Sequence, residues 1–313
     1  MTAPSTPPRY MRLLDPDALA KIHRLELVAR GIVEGFISGR HRSPYRGFSV
    51  EFAEHREYTP GDNLRDLDWR VYGKSDRYFI KQYMEETNLR SVILLDASGS
   101  MKYTGEESAL QQNRRLSKFE YAQYLAASLT HLMINQQDAV GLVTFDTEIR
   151  RYLPARSRTN YLRTLLDEIS DTEPGEETNI APIFHDIAER VHRRGLIIII
   201  SDLFDDPAEM LKALHHFRFR KHEVIVFHVM AEEELTFPFE KWSLFRDMEN
   251  LENKVELDPR AVRAAYLDEV RRFVSTIEKG CGQMTIDYVP VSTKRPFDVA
   301  LTSYLAHRRF MVK

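Results

Sequence analysis

The chain has 313 residues, 43% hydrophobic and 29% charged, with a formal net charge of −3. That composition is ordinary for a globular protein able to bury a large core, and its balance is not the strongly basic one of a general nucleic-acid binder. The single cysteine, Cys281, excludes an internal disulfide and a cysteine-based zinc cluster. No apolar run approaches the roughly 18 residues that cross a bilayer.

Residues 1–16 carry several prolines and no apolar signal core. They are read as a disordered lead-in, and the expected location is cytoplasmic. Residues 17–88 are expected to form an N-terminal helix followed by a β-rich subdomain. Leu19, Ile22, Leu25, Val28, Ile32 and Phe36 recur at roughly helical spacing, and Gly39 is placed to cap the helix. Phe48, Val50 and Phe52 alternate as in a strand, Tyr58-Thr-Pro-Gly-Asp-Asn63 is a turn, and 78–84 is a second strand.

Residues 89–313 show another texture. Strands are expected at 91–95, 139–145, 149–153, 196–201, 223–229 and 284–289. Helices are expected near 116–135, 159–170, 180–192, 208–217, 259–279 and 297–309. The strand at 149–153 follows so tight a connection that it must run antiparallel. Residues 232–258 interrupt the rhythm with two hairpin arms, 244–248 and 254–257. Strands alternating with helices predict an α/β fold with a doubly wound, mainly parallel sheet.

In such a sheet, ligands collect beyond the carboxyl ends of the strands. The first buried strand ends in Asp96-Ala-Ser98-Gly-Ser100, and the strand at 196–201 ends in Ser201-Asp202. Thr178 lies in a loop that ends at a helix start. One carboxylate and two hydroxyls at alternate positions can converge on a point. Such hard oxygen donors suit Mg²⁺, with Mn²⁺ or Ca²⁺ as alternatives, rather than zinc or copper. Taken alone, Asp-x-Ser-x-Ser is equally a helix-capping or turn pattern.

Asp96, Ser98, Ser100, Thr178 and Asp202 resemble the metal-ion-dependent adhesion site of the von Willebrand factor A domain, itself a Rossmann-like fold. The resemblance implies that Ser98, Ser100 and Thr178 hold the metal directly, that Asp96 and Asp202 act partly through water, and that one coordination position stays open for a partner's carboxylate. Upstream, Gly39-Arg-His-Arg-Ser-Pro-Tyr-Arg-Gly47, Tyr58-Thr-Pro-Gly-Asp62 and Arg65-Asp-Leu-Asp-Trp69 resemble the bacterial family called domain of unknown function 58. That resemblance implies a non-enzymatic, chaperone-like adaptor of a MoxR-type AAA+ ATPase, binding a client protein that contributes an acidic residue to the metal. Asp68 and Trp69 are expected to anchor the subdomain to the sheet, with the indole filling a pocket.

Other chemistries fit less well. A phosphatase of the haloacid dehalogenase type needs an acid where Ser98 stands. A serine hydrolase needs Gly-x-Ser-x-Gly, which is absent around Ser98 and Ser100. No Gly-x-x-x-x-Gly-Lys run marks a P-loop. A metal-dependent phosphoester hydrolase and a structural subunit with a stapling metal remain as alternatives.

Overall fold

The computed structural model describes residues 50–59, 67–85, 89–105, 116–175, 180–248 and 253–311. The expected lead-in 1–16 and helix 17–37 lie outside the described residues. The chain divides into two units, one within Glu34–Asn88 and one that includes everything from Leu89 onward.

In the smaller unit, β1 (Val50–Glu57) pairs antiparallel with β2 (Phe79–Glu85). Between them lies a helix that periodicity did not show, α1 (Trp69–Ser75). Its start is set by Asp68, whose carboxylate accepts from Arg70 N and Val71 N. Asp68 therefore acts as an N-cap. Trp69, expected to fill a pocket, is 64% exposed, and among the described residues its ring meets Tyr72 edge-on. Tyr72 stacks on Tyr78 at 4.5 Å between centroids. Glu57 at the end of β1 faces Arg77 at 3.5 Å.

The larger unit is the predicted α/β sheet. In chain order it contains β3 (Arg90–Asp96), α2 (Lys118–Asn135), β4 (Ala139–Phe145), β5 (Ile149–Arg156), α3 (Thr159–Asp171) and α4 (Ile180–Arg190). It continues with β6 (Leu196–Ser201), α5 (Pro207–Phe219), β7 (Glu223–Met230), α6 (Glu232–Thr236), β8 (Ser243–Arg246) and β9 (Lys254–Leu257). It closes with α7 (Pro259–Gln283), β10 (Asp287–Ser292) and α8 (Phe297–Met311). Six strands run in the order β10-β7-β6-β3-β4-β5. All neighbouring pairs are parallel except β4 and β5, the expected hairpin. The strand order reverses at β3, the topological switch point where such sheets place ligands.

Central strands covered on both faces read as unbroken apolar runs. β6 is Leu-Ile-Ile-Ile-Ile-Ser, buried throughout. Val92, Leu94, Val143, Phe145, Ile197, Ile199 and Val226 face α4, α5 and the end of α7. Phe184 of α4 sits among them, 5.5 Å from the Phe145 ring and 5.8 Å from Phe217. Phe297 of α8 stacks on Tyr124 of α2 at 5.3 Å.

Two differences from the expected elements stand out. The last strand begins at Asp287, not 284, because α7 runs through Gly280 and Gly282 to Gln283. A Cβ on Gly280 would collide with the side chain of Leu211 on α5, so the glycine is there for close helix approach rather than helix termination. The chain then turns at Thr285, which has φ 55°. The second difference is α6, a short helix inside the interruption at 232–258; its hairpin is present as β8 and β9.

At the opposite edge from the candidate site, Asp138 is 2% exposed and accepts from Leu89 N at 2.9 Å. Burial pushes its carboxyl up to about 7, against which the Leu89 bond acts. Between the unfolded value and about 7, the folded chain keeps a proton at Asp138 that the unfolded chain has lost. Stability contributed by this group is therefore present at low pH and declines as pH rises through that window. Asp138→Asn is expected to flatten the decline by on the order of 2 kcal/mol between pH 5 and pH 8, read by urea unfolding at both values.

Candidate metal-binding site

The carboxyl ends of β3 and β6 lie side by side, with Leu95 opposite Ile200. One residue further, Asp96 meets Ser201, whose hydroxyl donates to Asp96 Oδ2 at 2.5 Å. The other oxygen, Oδ1, accepts from Ser98 N at 2.9 Å. That second bond folds the chain back at Ala97, whose N–H donates to the Phe145 carbonyl at 2.8 Å. A short 3-10 turn, Gly99–Lys102, then carries Ser100 beside Ser98. The two hydroxyl oxygens are 3.1 Å apart. Two ligands at adjacent corners of an octahedron with bonds of about 2.1 Å stand about 3 Å apart, so this spacing fits a magnesium-sized ion.

Asp96 is fully buried. Burial, and the nearby Asp202 carboxylate, push its acid up to about 7, although Ser201 and Ser98 act to lower it. A bound cation would act against both effects and favour the ionised form. Asp202 is also buried, at 4% exposure. Burial opposes its ionisation, but the ammonium of Lys118 outweighs this and holds the carboxyl below its usual range. Ser100 is hydrogen-bonded to Asp202 as well. Four of the five expected residues, Asp96, Ser98, Ser100 and Asp202, are thus gathered at one edge.

Thr178 lies outside the described residues. Both described flanks of its loop are tied to this edge. Gly175 N donates to the Ala97 carbonyl at 2.6 Å, and Ile180 N donates to Asp205 Oδ2 at 3.0 Å. Asp205 thereby caps α4, while Asp206 caps α5 through Ala208 N and Glu209 N. Both carboxylates thus accept from N–H groups at helix starts, where negative charge is favoured.

Three side chains were missed from sequence: Ser201, Lys118 and Glu234. Lys118 Nζ lies 2.7 Å from Asp202 Oδ2 and 2.6 Å from Glu234 Oε1. Its side chain is 3% exposed. Burial disfavours the charge, yet the two carboxylates hold the ammonium above its ordinary range. Position gave one signal: Lys118 directly follows Ser117, which with Glu120 forms a capping box at the start of α2. No local rule assigns a lysine there to a site formed by other loops. Beneath the site, His228 is buried beside Ser201 on β7, its Nδ1 2.6 Å from Tyr288 OH. Burial pushes it down to about 4, so it is neutral. Cys281 is buried, which pushes its thiol up to about 12. Phe204, in the loop after Asp202, stands 68% exposed.

Among the described residues no three His, Cys, Asp or Glu side chains form a metal-binding group. The donors here are two hydroxyls and buried carboxylates, a hard-oxygen set. Asp96, Ser98 and Ser100 would hold the ion, with Asp202 beside them.

Carboxylates and hydroxyls thus gather at the switch point of a doubly wound α/β sheet, the edge where such folds place ligands. The chain belongs to the family described as protein of unknown function DUF58, whose profile matches residues 54–275. Uncharacterized proteins of Mycobacterium tuberculosis and Mycobacterium bovis are each 25% identical to it over 316 residues, covering 97% of this chain and 94% of theirs. Among solved structures, the conserved hypothetical protein BatB from Bacteroides thetaiotaomicron is 20% identical, with a TM-score of 0.44, over 70% of this chain and 97% of that one. The vWF domain of the type V pili tip protein Mfa5 from Porphyromonas gingivalis is 11% identical, with a TM-score of 0.35, over 72% and 97%. No helix among the described residues is long and apolar enough to cross a membrane.

Proposed function

We propose that the protein is a non-enzymatic, metal-dependent protein-binding module. It holds a divalent cation, Mg²⁺ foremost, at Asp96, Ser98, Ser100, Thr178 and Asp202, and captures an acidic residue of a client protein on the open side. The observation that carries this reading is the buried Asp96 carboxylate next to two hydroxyls at ligand spacing. The exposed ring of Phe204 offers an apolar contact at the rim. The working partner is a MoxR-type AAA+ ATPase, for which the module acts as a chaperone-like adaptor in the cytoplasm.

The test is capture of a purified MoxR-type AAA+ ATPase, with Mg²⁺ and with EDTA, using wild type and Asp96→Ala. Capture by wild type with Mg²⁺, falling at least about tenfold with EDTA or with Asp96→Ala, is the expected result. Equal capture in all arms would remove the metal dependence. Phosphoester turnover that disappears in Asp96→Ala would replace the adaptor reading with the hydrolase one.

A further inference from the structure

We infer that Lys118 is a tethered cation that competes with the divalent metal for Asp202 and so sets how loosely the site holds it. The inference rests on the proposed metal site. A lysine in this place is costly on two counts. Its ammonium is removed from water, with the side chain 3% exposed. It also sits in the first turn of α2, where the helix dipole disfavours positive charge. The helix does not need it, since Ser117 and Glu120 already cap that end reciprocally.

What holds Lys118 in place is the pair of carboxylates, Asp202 at 2.7 Å and Glu234 at 2.6 Å. Glu234 is itself fixed, because its Oε2 accepts from Ala231 N at 2.7 Å. The ammonium therefore lies on one oxygen of a carboxylate that the metal site also uses. A dication arriving near Asp202 meets a charge already neutralised, and meets the ammonium's repulsion as well. A site so arranged binds its ion weakly when empty of partner. A client carboxylate on the open position then contributes a larger share of the complex's stability.

Glu234 matters because it draws the ammonium away from Asp202. Without Glu234 the full attraction of Lys118 falls on Asp202. Without Lys118, Asp202 is left for the metal. Glu234 is the more exposed of the two acids, 30% against 3%, so its own charge is better screened by water.

The experiment is Mn²⁺ binding by titration calorimetry to the full chain, comparing wild type, Lys118→Met, Lys118→Met/Glu234→Gln, Glu234→Gln and Asp96→Ala. The inference expects Lys118→Met to bind at least about tenfold more tightly than wild type. The double variant, which avoids crowding unpaired carboxylates, is expected to bind more tightly as well, and Glu234→Gln more weakly. If Lys118→Met is poorly folded by circular dichroism, the double variant carries the comparison. Binding no tighter than wild type in the folded Lys118 variants, while Asp96→Ala loses the ion, would overturn the inference alone. Asp96→Ala binding as tightly as wild type would instead remove the metal site on which it stands.

Discussion

Phe184→Ala is expected to lower the free energy of unfolding by about 3–5 kcal/mol, measured by urea denaturation. Phe184 is fully buried on α4 and meets Phe145 of β4 and Phe217 of α5 edge-on. Those three rings come from three different elements, so none can close over the gap without moving a strand or a helix. Deleting the ring removes its transfer energy and leaves a cavity lined by groups that lose their neighbours. A loss under about 1 kcal/mol would mean that the face between the sheet, α4 and α5 repacks freely. The contrast is Arg190→Ala on the same helix. Arg190 pairs with Asp186 in the open, both about half exposed, and an exposed pair is worth at most about 1 kcal/mol.

Lys118→Met, measured without metal, is expected to cost about 3–5 kcal/mol, since it leaves the buried Asp202 and the half-buried Glu234 without their shared cation. The same ion pair would contribute little if it lay at the surface. Burial therefore decides the magnitude. The double variant Lys118→Met/Glu234→Gln is expected to recover part of the loss, because one of the two unpaired charges is gone. Adding a divalent cation is expected to restore more, since it supplies the missing charge at Asp202. Chemical unfolding of both variants in EDTA and in excess Mn²⁺ reads these differences. A Lys118→Met variant as stable as wild type in EDTA would show that the ammonium does not sustain this corner of the fold.

Much of the architecture was legible before the structure. SVILL at 91–95 and LIIII at 196–200 could only be short buried strands, because both faces of a central strand are covered and alternation disappears. Asp96 and Asp202 were legible as site residues for a related reason: each ends such a strand, and parallel strands end on one edge. Errors fell where packing overrode local preference. The helix expected to end at 279 runs on through Gly280 and Gly282 to Gln283, and at Gly280 the missing side chain leaves room for Leu211 of α5. Trp69, expected in a pocket, is instead 64% exposed.

The sequence by itself determined the order of strands and helices, the antiparallel edge hairpin, and the edge on which Asp96, Ser98, Ser100 and Asp202 meet. Periodicity and strand-end position are local properties, readable within a window of a few residues. Only the tertiary structure decided that Ser201 holds Asp96 and that Lys118 lies between Asp202 and Glu234. Those last two bonds join residues 84 and 116 positions apart. A charged side chain shows nothing, in its own neighbourhood, of a partner that the fold brings to it from so far along the chain.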